Sequence, residues 1–171
     1  MRIVLIVILA LLTVVSCKKK DQQEDIIVEK VIEKPQDGPE SMTADEQSGS
    51  ARWISGAEYS YIIKREAKQE LPVVTNHDVQ YYDNAIQLTV KRVDGSVFFE
   101  KSFTKENFSP VLPKESRENG VLLGMNFDKV DGNDLIFVVS VGSPDETNEE
   151  FYYARMALSN HGSTRAMKYQ E

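Results

Sequence analysis

Few of the 171 side chains offer chemistry beyond packing, and their spacing limits what that chemistry is. The two histidines, His77 and His161, sit within Asn76-His77-Asp78 and Asn160-His161-Gly162. Asparagine, aspartate and glycine favour turns, because they tolerate left-handed backbone or bond their own main chain. A zinc site needs nitrogen and sulfur ligands at short, convergent spacing, and neither histidine has such a neighbour. Asp128, Asp131, Asn133 and Asp134 offer oxygens, but not at alternate positions closed by a glutamate, as a calcium loop requires. Asp131-Gly132 reads instead as a β-turn. The run from Asp145 to Glu150 reads as a solvated acidic loop. Ser102, Ser109, Ser140 and Ser143 lack the strand–turn–helix setting of a nucleophile elbow. No feature picks out the two carboxylates of a glycosidase. The expectation is a protein that is not an enzyme, with no catalytic residue, no metal and no cofactor.

The only cysteine, Cys17, ends the sequence Val14-Val15-Ser16-Cys17. Before it, Arg2 supplies a positive start and Ile3 to Val15 an apolar run. That run is too short for a bilayer-spanning helix, which needs about 20 residues. The order aliphatic, small, cysteine resembles the lipobox of bacterial lipoproteins. The resemblance implies cleavage between Ser16 and Cys17 and lipid on the Cys17 thiol. It makes the membrane a partner through that lipid. A multiply acylated cysteine also satisfies the two-signal requirement for stable anchoring. With Cys17 so used, the mature chain has no thiol, hence no disulfide and no cysteine catalysis.

Aromatic side chains are the remaining candidates. Tyr59 and Tyr61 share a strand face, and Tyr81-Tyr82 and Tyr152-Tyr153 are adjacent pairs. Between Phe151 and Leu158, Tyr152, Ala154, Met156 and Leu158 make the better core face. Phe151, Tyr153 and Arg155 then point the other way. An exposed Phe/Tyr/Arg set has the composition of a recognition surface; the alternative is that these good strand formers pack under a loop or against a second sheet. Acidic residues number 27 against 20 basic ones, for a net charge of −7. No basic stripe tracks along the chain, so nucleic acid is not an expected partner.

The elements that must position these groups follow a period of two from about Ala51 onward. Ile86, Leu88 and Val90 alternate with polar residues, then Asp94-Gly95, then Val97-Phe98-Phe99. This predicts a hairpin with a two-residue type I′ turn and Val90 opposite Phe99. Val121, Leu123, Met125 and Phe127 form one face of a second strand, turning at Asp131-Gly132-Asn133. Leu135 to Val141 follow, apolar on both faces through Ile136 and Val138, and so central in a sheet. Phe151 to Leu158, a turn at 160–162, and Ser163 to Tyr169 complete a third pair. Strands are also expected at Ala57 to Arg65 and Val79 to Tyr82. One helical turn is expected near Thr104 to Phe108, capped by Thr104 with Asn107 three residues on. The fold class is all-β: a small antiparallel β-sandwich or up-and-down barrel of about seven to eight strands. An α+β fold is the alternative if Ser60 to Gln69 is helical.

Three segments follow: a signal peptide over 1–16, lipid anchor and linker over 17–50, and a β domain over 51–171. As a flexible coil the linker spans roughly 30 Å. Within it, Ile26-Ile27-Val28-Glu29-Lys30-Val31-Ile32 is β-branched and reads first as a short extended segment before Pro35; the alternative is that it docks as an edge strand on the domain or on a partner.

Several stretches together resemble a family of small Bacteroidetes lipoproteins classed as a domain of unknown function. They are Ile26-Ile27-Val28-Glu29-Lys30, Arg65-Glu66 with Leu71-Pro72-Val73-Val74, Tyr81-Tyr82-Asp83-Asn84, and Asp94-Gly95-Ser96-Val97-Phe98-Phe99. The resemblance implies a cell-envelope lipoprotein and adds no activity. Lys18 after the cysteine is not the aspartate of inner-membrane retention, so the outer membrane is the expected location, with the leaflet open. The functional expectation is a tethered, non-enzymatic binding or adaptor module meeting an envelope protein or a glycan. The alternative is a β-barrel carrier with a small-ligand pocket.

Overall fold

The computed structural model describes residues 38–145 and 150–170. Cys17, Ser16 and Ile26 to Ile32 lie outside the described residues, as do 146–149 of the acidic loop. Ten strands are described: β1 Asp45–Arg52, β2 Glu58–Ala67, β3 Val73–Asn76, β4 Val79–Tyr82, β5 Asn84–Arg92, β6 Val97–Phe103, β7 Val121–Asp131, β8 Asp134–Gly142, β9 Phe151–Ser159 and β10 Thr164–Lys168. One helix, α1, covers Lys114–Asn119, and short 3-10 turns cover Ile54–Gly56 and Lys105–Phe108.

The strands form an antiparallel sheet in the order β1-β2-β5-β6 and another in the order β10-β9-β8-β7. A two-stranded hairpin, β3-β4, is inserted between β2 and β5. Matching edges of the large sheets meet. Gln47 Nε2 of β1 donates to the Met125 carbonyl of β7 at 2.6 Å, and Lys101 Nζ of β6 to Thr164 Oγ1 of β10 at 3.4 Å. The inner faces are apolar: Ile63, Ile86, Leu88, Val90 and Phe103 from one sheet, Met125, Phe137, Val139, Met156 and Leu158 from the other. This is an all-β sandwich, and its sheets do not close into a barrel. A carrier pocket inside a closed barrel therefore has no counterpart here. Ser60 to Gln69 are not helical; β2 runs extended through Ala67.

Trp53 plugs one end, stacking edge-on against Tyr59 and Phe98 with centroids 5.2 Å away in each case. Its indole N–H donates to the Asn133 carbonyl at 3.1 Å, so the buried donor is satisfied. Phe108 and Leu112, from the connection between the large sheets, join the same core.

Four local details differ from expectation. Asp45–Ser50, placed in the linker by composition, form most of β1. An edge strand is held by main-chain bonds on one side and does not need apolar composition. Here Gly49 faces Tyr61, and a Cβ on Gly49 would overlap the Tyr61 ring. The Asp94-Gly95 hairpin has a three-residue loop. Gly95 N–H donates to the Arg92 carbonyl and Arg92 N–H to the Ser96 carbonyl, both at 2.9 Å, and only Gly95 has positive φ. Asp94 instead accepts Ser96 N–H at 2.9 Å and Ser96 O–H at 2.6 Å. The Val90–Phe99 pairing is nonetheless as predicted. In β7 the register shifts between Leu122 and Gly124, leaving Leu123 as an extra residue. That bulge turns Leu122 and Met125 inward together, where strict alternation sets them on opposite faces. Helix α1 was also not anticipated, although Pro113, Glu115 and a Lys114–Glu118 pair at 3.8 Å are ordinary helix-start and helix-surface features.

Candidate functional site

Strand β9 alternates as its sequence predicts: Ala154, Met156 and Leu158 are buried, while Phe151 and Tyr153 face solvent. Phe151 is 50% exposed and Tyr153 41%, and Tyr169, just beyond β10, is 36% exposed. The three rings touch in sequence, with centroids 5.2 Å apart for Phe151–Tyr153 and 5.5 Å for Tyr153–Tyr169. The register explains the third ring. Lys168 pairs with Ala154, so the next residue, Tyr169, comes beside Tyr153. Opposite Phe151 stands Gly142, where a Cβ would overlap the Phe151 backbone.

Arg155 closes the row, but it is half-buried and braced rather than exposed as its sequence position suggests. Its guanidinium lies 4.8 Å from the Tyr169 centroid and 3.9 Å from Asp128 Oδ2. Asp128 is the extra residue of a second shift in β7, between Phe127 and Lys129. A bulge of this kind re-aims a side chain that the pleat would place elsewhere. Arg155 Nε is buried with no hydrogen-bond partner. Sequence reasoning set Phe151, Tyr153 and Arg155 on one face of the strand; Tyr169 and Asp128 come beside them only through the strand registers.

Phe151 also borders a cleft of about 810 Å³. Its rim comes from four separate stretches: the β3-β4 turn, α1, the end of β8 and the start of β9. His77 and Asp78 form the turn, with φ of 46° and 67°, the positive pair of a type I′ hairpin made without glycine. Asn76 beneath them is 8% exposed and Ser143 is 7% exposed. Asn76 Nδ2 donates to the Asn119 carbonyl at 3.2 Å, and Ser143 Oγ donates to Asn76 Oδ1 at 3.0 Å. His77 Nδ1 lies 2.9 Å from the same Oδ1. That oxygen can only accept, so the contact is a hydrogen bond in the tautomer with a proton on Nδ1. Ser143 N–H is bonded to the Glu150 carbonyl at 2.9 Å. Asn76 thus ties the hairpin to α1 and to the end of β8. Tyr81, in β4, has its phenol pKa raised by burial, with Glu40 and Asp145 adding to the effect.

A second polar cluster lies inside the fold. Asp83 is 4% exposed and Asn84 fully buried. Asp83 Oδ1 accepts the N–H groups of Asn84 and Leu122, both at 2.8 Å, while Oδ2 is 3.5 Å from Lys105 Nζ. Lys105 also donates to the Gly120 carbonyl, and Asn84 Nδ2 to the Leu122 carbonyl at 2.9 Å. These bonds fasten the start of β5 to the start of β7. They meet main chain rather than open space, which is a structural role.

The remaining candidates are dispersed. Asp131 lies 3.8 Å from Lys129, and Asp134 is 2.7 Å from Arg165. His161 is in the β9-β10 turn, and Ser109 donates to Glu106 at 3.0 Å. Among the described residues, no three of His, Cys, Asp or Glu stand together to hold a metal ion. No helix among them is long and apolar enough to cross a membrane.

The model of the domain of unknown function DUF4738 matches residues 24–165, and the chain belongs to that family. No curated protein matches the chain.

Proposed function

We propose that this protein is a lipid-anchored, non-enzymatic binding module of the cell envelope, held at the outer membrane through Cys17. Its contact surface is the row Phe151–Tyr153–Tyr169 with Arg155 at its end. The observation that carries the reading is that three touching rings stay outside a core with ample aromatic content of its own. Tyrosine and phenylalanine give large contact area at low side-chain entropy cost, so a row of them outside is suited to recognition. The anchor rests on Val14-Val15-Ser16-Cys17, where the thiol is the only soft nucleophile in the chain. The partner is an envelope protein or a glycan.

Two measurements test the two halves. Cys17→Ala should abolish incorporation of a fatty-acid label and release the protein from membrane pellets with its β domain folded. Continued labelling removes the anchor reading. Tyr153→Ala with Tyr169→Ala, in the anchored protein, should lose the envelope component that cross-links to the wild type. Retention of that component by the folded double variant removes the proposed surface.

A further inference from the structure

We infer that the ligand is a neutral oligosaccharide and that it runs from the aromatic row into the cleft beside it, with Phe151 belonging to both. This rests on the binding reading above and names its ligand class. A pyranose ring has an apolar face of C–H groups and a rim of hydroxyls that both donate and accept. Recognising it takes exposed aromatic faces together with compact polar groups of both kinds, set side by side. The structure places them so. Phe151, Tyr153 and Tyr169 supply a track in steps of 5.2 and 5.5 Å, comparable to the length of one sugar residue. At the Phe151 end, the cleft offers Thr75, His77, Asp78, Ser116 and Asn119. At about 810 Å³ it falls within the roughly 300–1,000 Å³ of small-ligand sites.

Charge narrows the class. Among the described residues, neither lysine nor arginine lines the cleft, while Asp78, Glu115 and Glu150 do. A phosphate, sulfate or uronate entering it meets those carboxylates with no lysine or arginine among the described lining residues to offset its desolvation. The amide and hydroxyl groups of Thr75, Ser116 and Asn119 both donate and accept, as the hydroxyls of a neutral polyol do. The Asn76 ties to Asn119, Ser143 and His77 hold the polar rim in place before any ligand arrives.

The test titrates the mature chain with maltohexaose, xylohexaose and mannohexaose. An oligogalacturonate and a lysine/arginine decapeptide serve as contrasts. Binding is read by calorimetry and by tyrosine ring shifts in NMR. A neutral glycan is expected to bind, with Tyr153→Ala and Asp78→Asn each weakening it by about tenfold. Asn tolerates the positive φ at position 78, so Asp78→Asn leaves the turn intact. Three results overturn the inference: no neutral glycan bound at millimolar sugar, tighter binding of the oligogalacturonate or the peptide, or affinity unmoved by both variants. If the glycans fail while Tyr153→Ala with Tyr169→Ala still loses a cross-linked envelope protein, the binding reading stands and only the ligand class falls. If that cross-link is also insensitive to the rings, both fall.

Discussion

Asp83 and the row Phe151–Tyr153–Tyr169 depart from the usual partition of side chains in opposite directions: one is a carboxylate inside, the other a set of rings outside. The charge inside has its oxygens on two main-chain N–H groups and a lysine. The rings outside touch one another and Arg155. A buried charge costs desolvation, so it persists where every lone pair is used, and it then works for the fold. Half-exposed rings forgo burial that the core could offer and leave apolar surface against water. Partner geometry, more than residue type, separates the two groups here.

The comparison predicts opposite phenotypes. Asp83→Ala leaves two buried N–H groups without their acceptor and the Lys105 ammonium without its counter-charge, with only the Gly120 carbonyl remaining to it. It should lower unfolding free energy by about 3–5 kcal/mol in urea titration, with the remaining folded fraction binding as wild type. A loss below about 1 kcal/mol would mean that the cluster does not hold β5 to β7.

Next in size is Gly49→Ala in β1, expected to cost about 1–3 kcal/mol, because the new methyl meets the Tyr61 ring. Gly49→Ala with Tyr61→Leu should recover most of that loss. If Gly49→Ala alone is neutral, β1 is not packed as described and the domain starts nearer the composition change at Ala51.

The row is predicted to behave the other way. Tyr153→Ala with Tyr169→Ala breaks two ring–ring contacts and one cation–π contact, so it should cost about 2 kcal/mol, less than Asp83→Ala. The same variant should abolish partner capture. A large stability loss would place the rings with Asp83, as structural groups, and dissolve the contrast.

How much of this was legible beforehand depends on the range of the signal. The strand periods, the turns at Asp131-Gly132 and 160–162, the Val90–Phe99 pairing and the outward set on β9 are local patterns, and they were readable. The sandwich was one of two open architectures, because period-two alternation is the same in a sandwich and a barrel. Strand β1 was lost because Asp45-Glu46-Gln47-Ser48-Gly49-Ser50 looks like linker until Tyr61 is seen packed on Gly49. The β7 bulges erased a face assignment that depended on strict alternation. The cleft was invisible because its rim joins stretches from Thr75 to Tyr152 that only the folded topology brings together. Asp83 read as one residue of a Tyr-Tyr-Asp-Asn motif, with nothing local to mark it as buried.

The smallest expected effect concerns Tyr81, which sits between the two regions in character: a phenol partly inside, next to the first described pairing of the chain. Glu40 pairs in parallel with Tyr81, its N–H donating to the Gln80 carbonyl at 2.7 Å and its carbonyl accepting Tyr82 N–H at 2.9 Å. Burial, then Glu40 and Asp145, raise the Tyr81 pKa. The folded state therefore holds this proton after an unfolded phenol, near pH 10, has begun to release it. The extra proton is on the native side, so stability falls as pH rises above about 10, and there is no contribution at neutral pH, where both states are protonated. Tyr81→Phe should remove that part of the alkaline loss and leave stability at pH 7 within about 1 kcal/mol of wild type. Phenolate absorbance during titration checks it directly. One tyrosine should ionise late in the wild type and be absent from the variant, and Glu40→Gln should move that late step toward lower pH. If Glu40→Gln leaves the step in place, residue 40 is not beside Tyr81, and the ordered fold begins closer to β1.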